Sequence, residues 1–212
     1  MTLPQSPLIH LIDDDQAVRD GLALLIGTVG LRVMTWERAT DFIERFERDA
    51  VGAIVLDVRM PGISGLTVLD TLVAQGVDQP ILMLTGHGTV ELCRRAFKSG
   101  AAEFLEKPVH DEVLIEALQQ AVRAHVRSRE RTRADRAARE RYAQLSERER
   151  EVLGLIVAGL TNKEIGRALG LSPRTVETHR AHLFAKLRCE SLAQLIRQYA
   201  DLAEQADPGA AT

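Results

Sequence analysis

Cysteine is scarce: Cys93 and Cys189 are the only two in 212 residues. They lie far apart, outside any Cys-x-x-Cys or His-bearing cluster, which excludes a disulfide framework and a zinc site and reads both as small buried hydrophobes. No apolar run approaches the ~18 residues needed to cross a bilayer. The start, Met1-Thr-Leu-Pro-Gln-Ser-Pro7, lacks the basic-then-apolar order of a signal peptide, so a cytoplasmic address is expected. Neither the 45% of hydrophobic residues nor the 27% of charged ones departs from ordinary globular usage, which sets aside disordered and collagen-like chains. A length of 212 residues allows one large domain or two small ones.

The near-neutral balance of −3 conceals a segregation of charge. Residues 1–121 carry 18 Asp and Glu against 10 Lys and Arg, a balance of −8, whereas residues 122–212 carry 12 against 17, a balance of +5. Positive charge gathered in one half is a footprint of nucleic-acid binding.

In the acidic half, short apolar runs alternate with amphipathic stretches. Leu8–Ile12, Leu31–Trp36, Ala53–Leu56, Ile81–Thr85 and Glu103–Glu106 read as strands, and Asp15–Val29, Thr40–Asp49, Ser64–Gln75 and Thr89–Ser99 as helices, with Asp111 opening a fifth. This alternation predicts a parallel sheet covered on both faces, with a ligand site outside the carboxyl ends of the strands. From about 121 to 143 the chain is Arg-rich, alternates in sign and has no Pro or Gly, which predicts a solvated linker helix. The last third has no strand signal. Ser146-Glu-Arg-Glu149, Thr161-Asn-Lys-Glu164 and Ser191-Leu-Ala-Gln194 match the capping box, Ser172-Pro173 adds a fourth start, and Gly159 and Gly170 suit helix ends. Helices are expected at about 146–158, 161–169, 172–188 and 191–203.

Chemistry-bearing residues fall at the predicted carboxyl edge: Asp13 and Asp14 after the first strand, Asp57 after the third, Thr85 after the fourth and Lys107 after the fifth. Three crowded carboxylates repel one another unless a cation is present, and oxygen ligands select Mg²⁺ or a relative. A Lys and a hydroxyl beside such an ion suit an incoming phosphoryl group, so phosphorylation of a carboxylate is the chemistry expected. Asp15 is read as the cap of the first helix and His87 as a loop residue modulating water access. Arg94, Arg95 and Lys98 form either a solvated helical face or a dimer contact. The lone Gly-x-Gly of Gly86 and Gly88 lacks the third glycine of a dinucleotide site.

Ile12-Asp-Asp-Asp15, Leu56-Asp-Val-Arg-Met-Pro61, Leu84-Thr-Gly-His-Gly88 and Glu106-Lys-Pro108 resemble, in order, the signatures of the receiver domain of bacterial response regulators. The resemblance implies a doubly wound, five-stranded flavodoxin/CheY-like sheet in which Asp57 takes a phosphoryl group from a sensor histidine kinase. It further implies that Asp13, Asp14, Asp57 and the Arg59 backbone carbonyl hold Mg²⁺, that Thr85 bonds the phosphoryl oxygens and Lys107 neutralises them. Thr85 and Phe104 are then the switch pair, and the Lys107-Pro108 bond is expected to be cis.

On a helical wheel, residues 172–188 turn Val176, Leu183, Phe184 and Leu187 to one side and a small polar face to the other. Joined to 161–169 by Gly170-Leu171, this segment reads as the second member of a helix-turn-helix. Glu177, Thr178 and Ala181 are candidates for base contacts, and Arg174, Thr175, His179, Lys186 and the pair Asn162-Lys163 for phosphates. Arg180 falls near the core edge, where its stem can pack while its guanidinium reaches out. Leu145–Leu153, Ala158–Ile165 and Leu171–Arg180 resemble the LuxR/NarL type of DNA-binding domain, and the chain as a whole is most similar to the FixJ subgroup of response regulators. The division implied is a receiver at 6–122, a helical linker at 123–143 and an all-α, four-helix DNA-binding domain at 144–205. Promoter DNA, RNA polymerase and a homodimer on phosphorylation are the further partners, with activation of transcription the expected result. Two alternatives stay open. A phosphatase with a phosphoaspartate intermediate needs an Asp where Arg59 stands, and a constitutive DNA binder needs a receiver that has ceased to switch.

Overall fold

The computed structural model describes residues 6–206; residues 1–5, on which most of the expectation about the start of the chain rests, lie outside them. The element order is β1 (Leu8–Ile12), α1 (Gln16–Gly27), β2 (Arg32–Trp36), α2 (Ala39–Arg45), β3 (Gly52–Asp57), α3 (Gly65–Ala74), β4 (Ile81–Thr85), α4 (Val90–Lys98) and β5 (Glu103–Glu106). There follow α5 (Asp111–Ala143), α6 (Glu147–Val157), α7 (Asn162–Leu169), α8 (Pro173–Leu187) and α9 (Leu192–Ala206). They form two compact units that part between Arg129 and Glu130, inside α5. Among the described residues no helix is long and apolar enough to cross a membrane.

In the first unit the strands are all parallel, in the order β2-β1-β3-β4-β5. Every residue of β1, β3 and β4 is buried, because central strands of such a sheet are covered on both faces, and all but His10, Asp57 and Thr85 are apolar or glycine. Alternation along the strands sends Ile9, Leu11, Val55 and Leu82 toward Leu114 and Leu118 of α5. It sends Ile12, Ile54, Leu56 and Met83 toward Phe42 of α2 and Leu69 and Leu72 of α3. Each such fully buried Leu or Ile contributes about 1.5–3 kcal/mol.

Helix ends follow their caps. The Asp15 carboxylate accepts from the amides of Ala17 and Val18, so α1 begins at Gln16. The second helix ends at Arg45, earlier than the expected 49, because Phe46 turns extended and buries its ring beside Phe42, 4.6 Å away between centroids. Near its middle, α5 is clamped to the sheet. The His125 ring is fully buried with Nδ1 2.9 Å from the Gly52 carbonyl, and Arg129 donates to both oxygens of Asp78 and to the carbonyls of Arg48 and Asp49. The expected linker is therefore continuous with the preceding helix: α5 runs 33 residues without a break.

The second unit packs α6 to α9 around Val152, Ile165, Val176, Leu183, Leu187, Leu195 and Tyr199. Reciprocal capping boxes are formed at Ser146/Glu149 and Thr161/Glu164. The third is corrected: Ser191 Oγ accepts from the Gln194 amide, but the Gln194 side chain accepts from Glu190 N–H, one residue before the cap. Cys189 is buried as expected, whereas Cys93 is only half-buried, on the open side of α4.

Two polar groups inside these cores carry measurable consequences. Trp36 Nε1 donates to His10 Nδ1 at 3.2 Å, so the ring proton sits on Nε2, which has no partner among the described residues. With Phe42 and Phe46 also against the ring, burial holds the His10 pKa down to about 4. The unfolded chain takes up that proton near pH 6.5 and the folded one only near 4, so this stability is complete above pH 6.5 and is lost as pH falls toward 4. The first unit is expected to lose about 2 kcal/mol between pH 7 and pH 5. Urea titration followed by Trp36 fluorescence measures it, and His10→Gln should flatten the profile. In the second unit the buried Glu149 carboxylate accepts from Lys186 Nζ at 2.7 Å and from Ser146. Burial raises its pKa, but these donors outweigh burial and hold it below the usual range. Lys186→Ala should destabilise this unit by about 1–3 kcal/mol, read by urea unfolding in circular dichroism, with Glu149→Gln added in the double variant recovering most of the loss.

Candidate functional site

The sheet order reverses between β1 and β3: from β1 the chain steps outward to β2, then crosses back to β3. The crevice outside their carboxyl ends is the switch point where such sheets bind ligands. Asp13 follows β1 and Asp57 closes β3, and the structure buries both. Lys107, just beyond β5, reaches across β4 to join them, its Nζ 2.6 Å from Asp13 Oδ2 and 2.8 Å from Asp57 Oδ1. The remaining oxygens are also engaged: Asp13 Oδ1 accepts from Asp15 N–H at 3.0 Å, and Asp57 Oδ2 from Arg59 N–H at 2.8 Å.

Burial raises the Asp57 carboxyl above the usual range, although the Lys107 ammonium and the Arg59 amide pull it down. Burial also works against the charge of Lys107, but its bonds to both carboxylates prevail and raise its pKa. A carboxylate made more basic by its surroundings is a better nucleophile, and an ammonium held charged beside it neutralises an incoming anion.

Of the other residues singled out in the sequence, Thr85 is fully buried at the end of β4, one step past the Leu84 that pairs with Asp57. Its hydroxyl is occupied by its own loop, accepting from His87 N–H at 3.3 Å. Asp14 and Arg59 are exposed beside the pocket, and Phe104 on β5 is half-buried against the α2–α3 core. The Lys107-Pro108 bond is cis. Among the described residues no three His, Cys, Asp or Glu side chains are gathered as a finished metal cage; Asp13 and Asp57 are joined by the Lys107 ammonium, and Asp14 stands exposed next to Asp13. The available donors are hard oxygens, the class that suits Mg²⁺.

Sequence reasoning missed three supports of this pocket. Arg19, one turn into α1, donates Nη1 to the Asp13 carbonyl at 2.7 Å. Gly65 begins α3 so close to β3 that a Cβ there would lie 2.0 Å from the Asp57 carbonyl oxygen. Glu106 accepts from Gly88 N–H at 3.0 Å and so fastens the loop that follows Thr85. None has a periodic signature: each acts by closeness in space.

In the second unit α7 and α8 meet across a tight turn. Gly170 is left-handed (φ 66), and a Cβ on Gly166 would stand 2.7 Å from the Leu171 carbonyl oxygen, a close approach the sequence reading did not single out. Val176, Leu183 and Leu187 are buried, whereas Arg174, Thr175, Glu177, Thr178, Ala181 and Lys186 are exposed on α8. His179 and Arg180 are half-buried, and Lys163 is exposed in the first turn of α7. Thr178 Oγ1 donates to the Arg174 carbonyl at 3.1 Å, so its hydroxyl is spent within the helix. The Lys186 ammonium is committed to Glu149, an ion pair the sequence reading did not foresee.

Comparison with known proteins agrees with both halves. Residues 9–119 match the response regulator receiver domain, and residues 143–199 match the bacterial regulatory proteins of the luxR family. The transcriptional regulatory protein FixJ of Azorhizobium caulinodans is 47% identical over 199 residues, which span 92% of each chain. Among solved structures, the response regulator StyR superposes with a TM-score of 0.82 at 35% identity, covering 92% of this chain and 99% of that one. Full-length FixJ from B. japonicum gives 0.59 at 38% identity, covering 94% and 98%. A CheY-like parallel sheet with its buried carboxylates, followed by a luxR-type helix-turn-helix and matched over nearly the whole chain by FixJ proteins, places the chain in the FixJ subgroup of two-component response regulators, which regulate transcription.

Proposed function

We propose that Asp57 accepts a phosphoryl group from a phosphohistidine of a sensor histidine kinase, and that the modified chain binds promoter DNA through α8 as a dimer. The observation that carries the reading is the pair of buried carboxylates, Asp13 and Asp57, sharing one ammonium at the topological switch point. An Asp57 oxygen attacks phosphorus, the P–N bond breaks, and its electron pair returns to the imidazole, which is protonated. Lys107, within 2.8 Å of Asp57, is placed to follow the new phosphoryl oxygens. The Thr85 hydroxyl leaves its own loop to donate to one of them, and Phe104 repacks in response. Asp13, Asp14, Asp57 and the Arg59 carbonyl would hold Mg²⁺, which supplies charge neutralisation when bound. In this reading residues 6–122 accept the phosphoryl group, 123–143 form the linker and 144–205 bind DNA.

On the DNA side, Glu177, Thr178 and Ala181 face the bases of a major groove, where Glu accepts from a cytosine amino group and a methyl meets thymine. Thr178 suits the second role because its hydroxyl is already bonded within α8. Arg174, Thr175, His179 and Lys163 contact phosphates; Lys186 reaches one only by leaving Glu149. The dimer places two α8 helices about one turn of DNA, ~34 Å, apart. The fourth helix supports dimerisation, since it buries only Ala96 and exposes Val90 and Phe97 beside Arg94. Contact with RNA polymerase in the cytoplasm, with activation of transcription, completes the proposal.

Two measurements test it. With acetyl phosphate and Mg²⁺, the protein should gain one acid-stable phosphoryl group by mass and Asp57→Asn none; an unmodified wild type would indicate a receiver that has ceased to switch. In binding to selected duplexes, Thr178→Ala should change sequence preference by about 0.8 kcal/mol at one position, the value of one buried methyl. Arg174→Ala should instead weaken cognate and random DNA alike and lower the salt slope by about one. Equal losses on both DNAs for both variants would refute the assignment.

A further inference from the structure

The loop between β4 and α4 is held at two points. At its start, the Thr85 hydroxyl accepts from His87 N–H, and Lys107 N–H donates to the Thr85 carbonyl at 2.7 Å. At its end, Gly88 N–H donates to the carboxylate of Glu106, the residue immediately before Lys107. The contact is close: a Cβ on Gly88 would lie 3.3 Å from the Glu106 carboxyl carbon. Immediately after Gly88, Thr89 caps α4 by accepting from the Leu92 amide, so whatever fixes Gly88 also fixes the start of that helix.

Beyond this point α4 is loosely seated. It buries only Ala96, and a shallow cavity of about 460 Å³ opens between Val90, Cys93 and Phe97 on the helix and Phe104 and Glu106 on β5. The helix thus has room to shift beside the half-buried Phe104, and the Glu106 carboxylate ties its near end to the strand.

We propose that Glu106 is a positioning residue: its bond to Gly88 latches the β4–α4 loop where Thr85 faces its own backbone, and so holds down the reactivity of the resting site. The inference rests on the phosphotransfer reading above and names the element that restrains it. The Thr85 hydroxyl also donates to the His87 carbonyl at 3.5 Å, so it can donate to a phosphoryl oxygen only after giving up that carbonyl, and the movement draws on the loop whose far end Glu106 holds. Phosphotransfer proceeds through the fraction of molecules with the loop released, so weakening the latch raises that fraction and the rate with it.

The full-length chain tests this through two readouts, phosphorylation rate with acetyl phosphate and Mg²⁺, and amide hydrogen exchange over residues 86–92. Glu106→Ala is expected to react about five-fold faster than wild type and to exchange faster in that segment. Glu106→Gln, which keeps a neutral acceptor, should fall between the two, and Gly88→Ala, whose methyl presses on the carboxylate, should shift both readouts in the same direction. Faster exchange with an unchanged or lower rate makes the bond merely structural and overturns the proposal, as does unchanged exchange. If the wild type takes up no phosphoryl group, the phosphotransfer reading fails on its own, and exchange in Glu106→Ala still decides whether the latch exists.

Discussion

A single ammonium between two buried carboxylates governs the first unit of this protein. Asp13 and Asp57 stand at the carboxyl ends of neighbouring strands with water largely excluded, and Lys107 within 2.8 Å of both offsets their mutual repulsion. Burial opposes the charge of Asp57 and of Lys107, and the bonds of the ammonium to both carboxylates work against that burial. In the proposed reading this cation is the one that an incoming phosphoryl group would share.

The sheet brings these groups together through its topology. Because β1 and β3 are neighbours while β2 lies outside β1, residues 44 positions apart in sequence close the same crevice. Buried apolar strands make the scaffold stiff, and the polar groups at its rim, Arg19 on the Asp13 carbonyl and Glu106 on Gly88, hold the loops. On the proposed reading, a small change at the pocket would pass through these tethered loops to α4. The helical unit is organised differently: caps and one buried ion pair, Glu149 with Lys186, set α6 against α8 and leave the polar side of α8 free.

Much of this was legible in the residues. Continuous apolar runs reported β1, β3 and β4 because strands buried on both faces need them, and the hydroxyl-x-x-carboxylate spacing reported the starts of α6 and α7 because caps are local. Asp13, Asp57, Thr85 and Lys107 could be placed on one edge because each follows a strand. The early end of α2 was not legible, since burial of Phe46 beside Phe42 overrides helix propensity there. Lys186 looked like any exposed basic residue on a helix, and only the fold sets Glu149 before it.

By itself, then, the order of residues determined the element types, their parallel arrangement, the helix-turn-helix and the identity of the acidic edge, all of which depend on interactions within a few positions or on strict periodicity. Tertiary structure alone decided that the pocket rests as two carboxylates on one ammonium, that Thr85 is turned to its own loop, that Glu106 holds Gly88 and that Lys186 is committed to Glu149. Those contacts join residues remote in the chain or rotamers with several alternatives, and distances of 3 Å across space are set by packing, which sequence spacing does not encode.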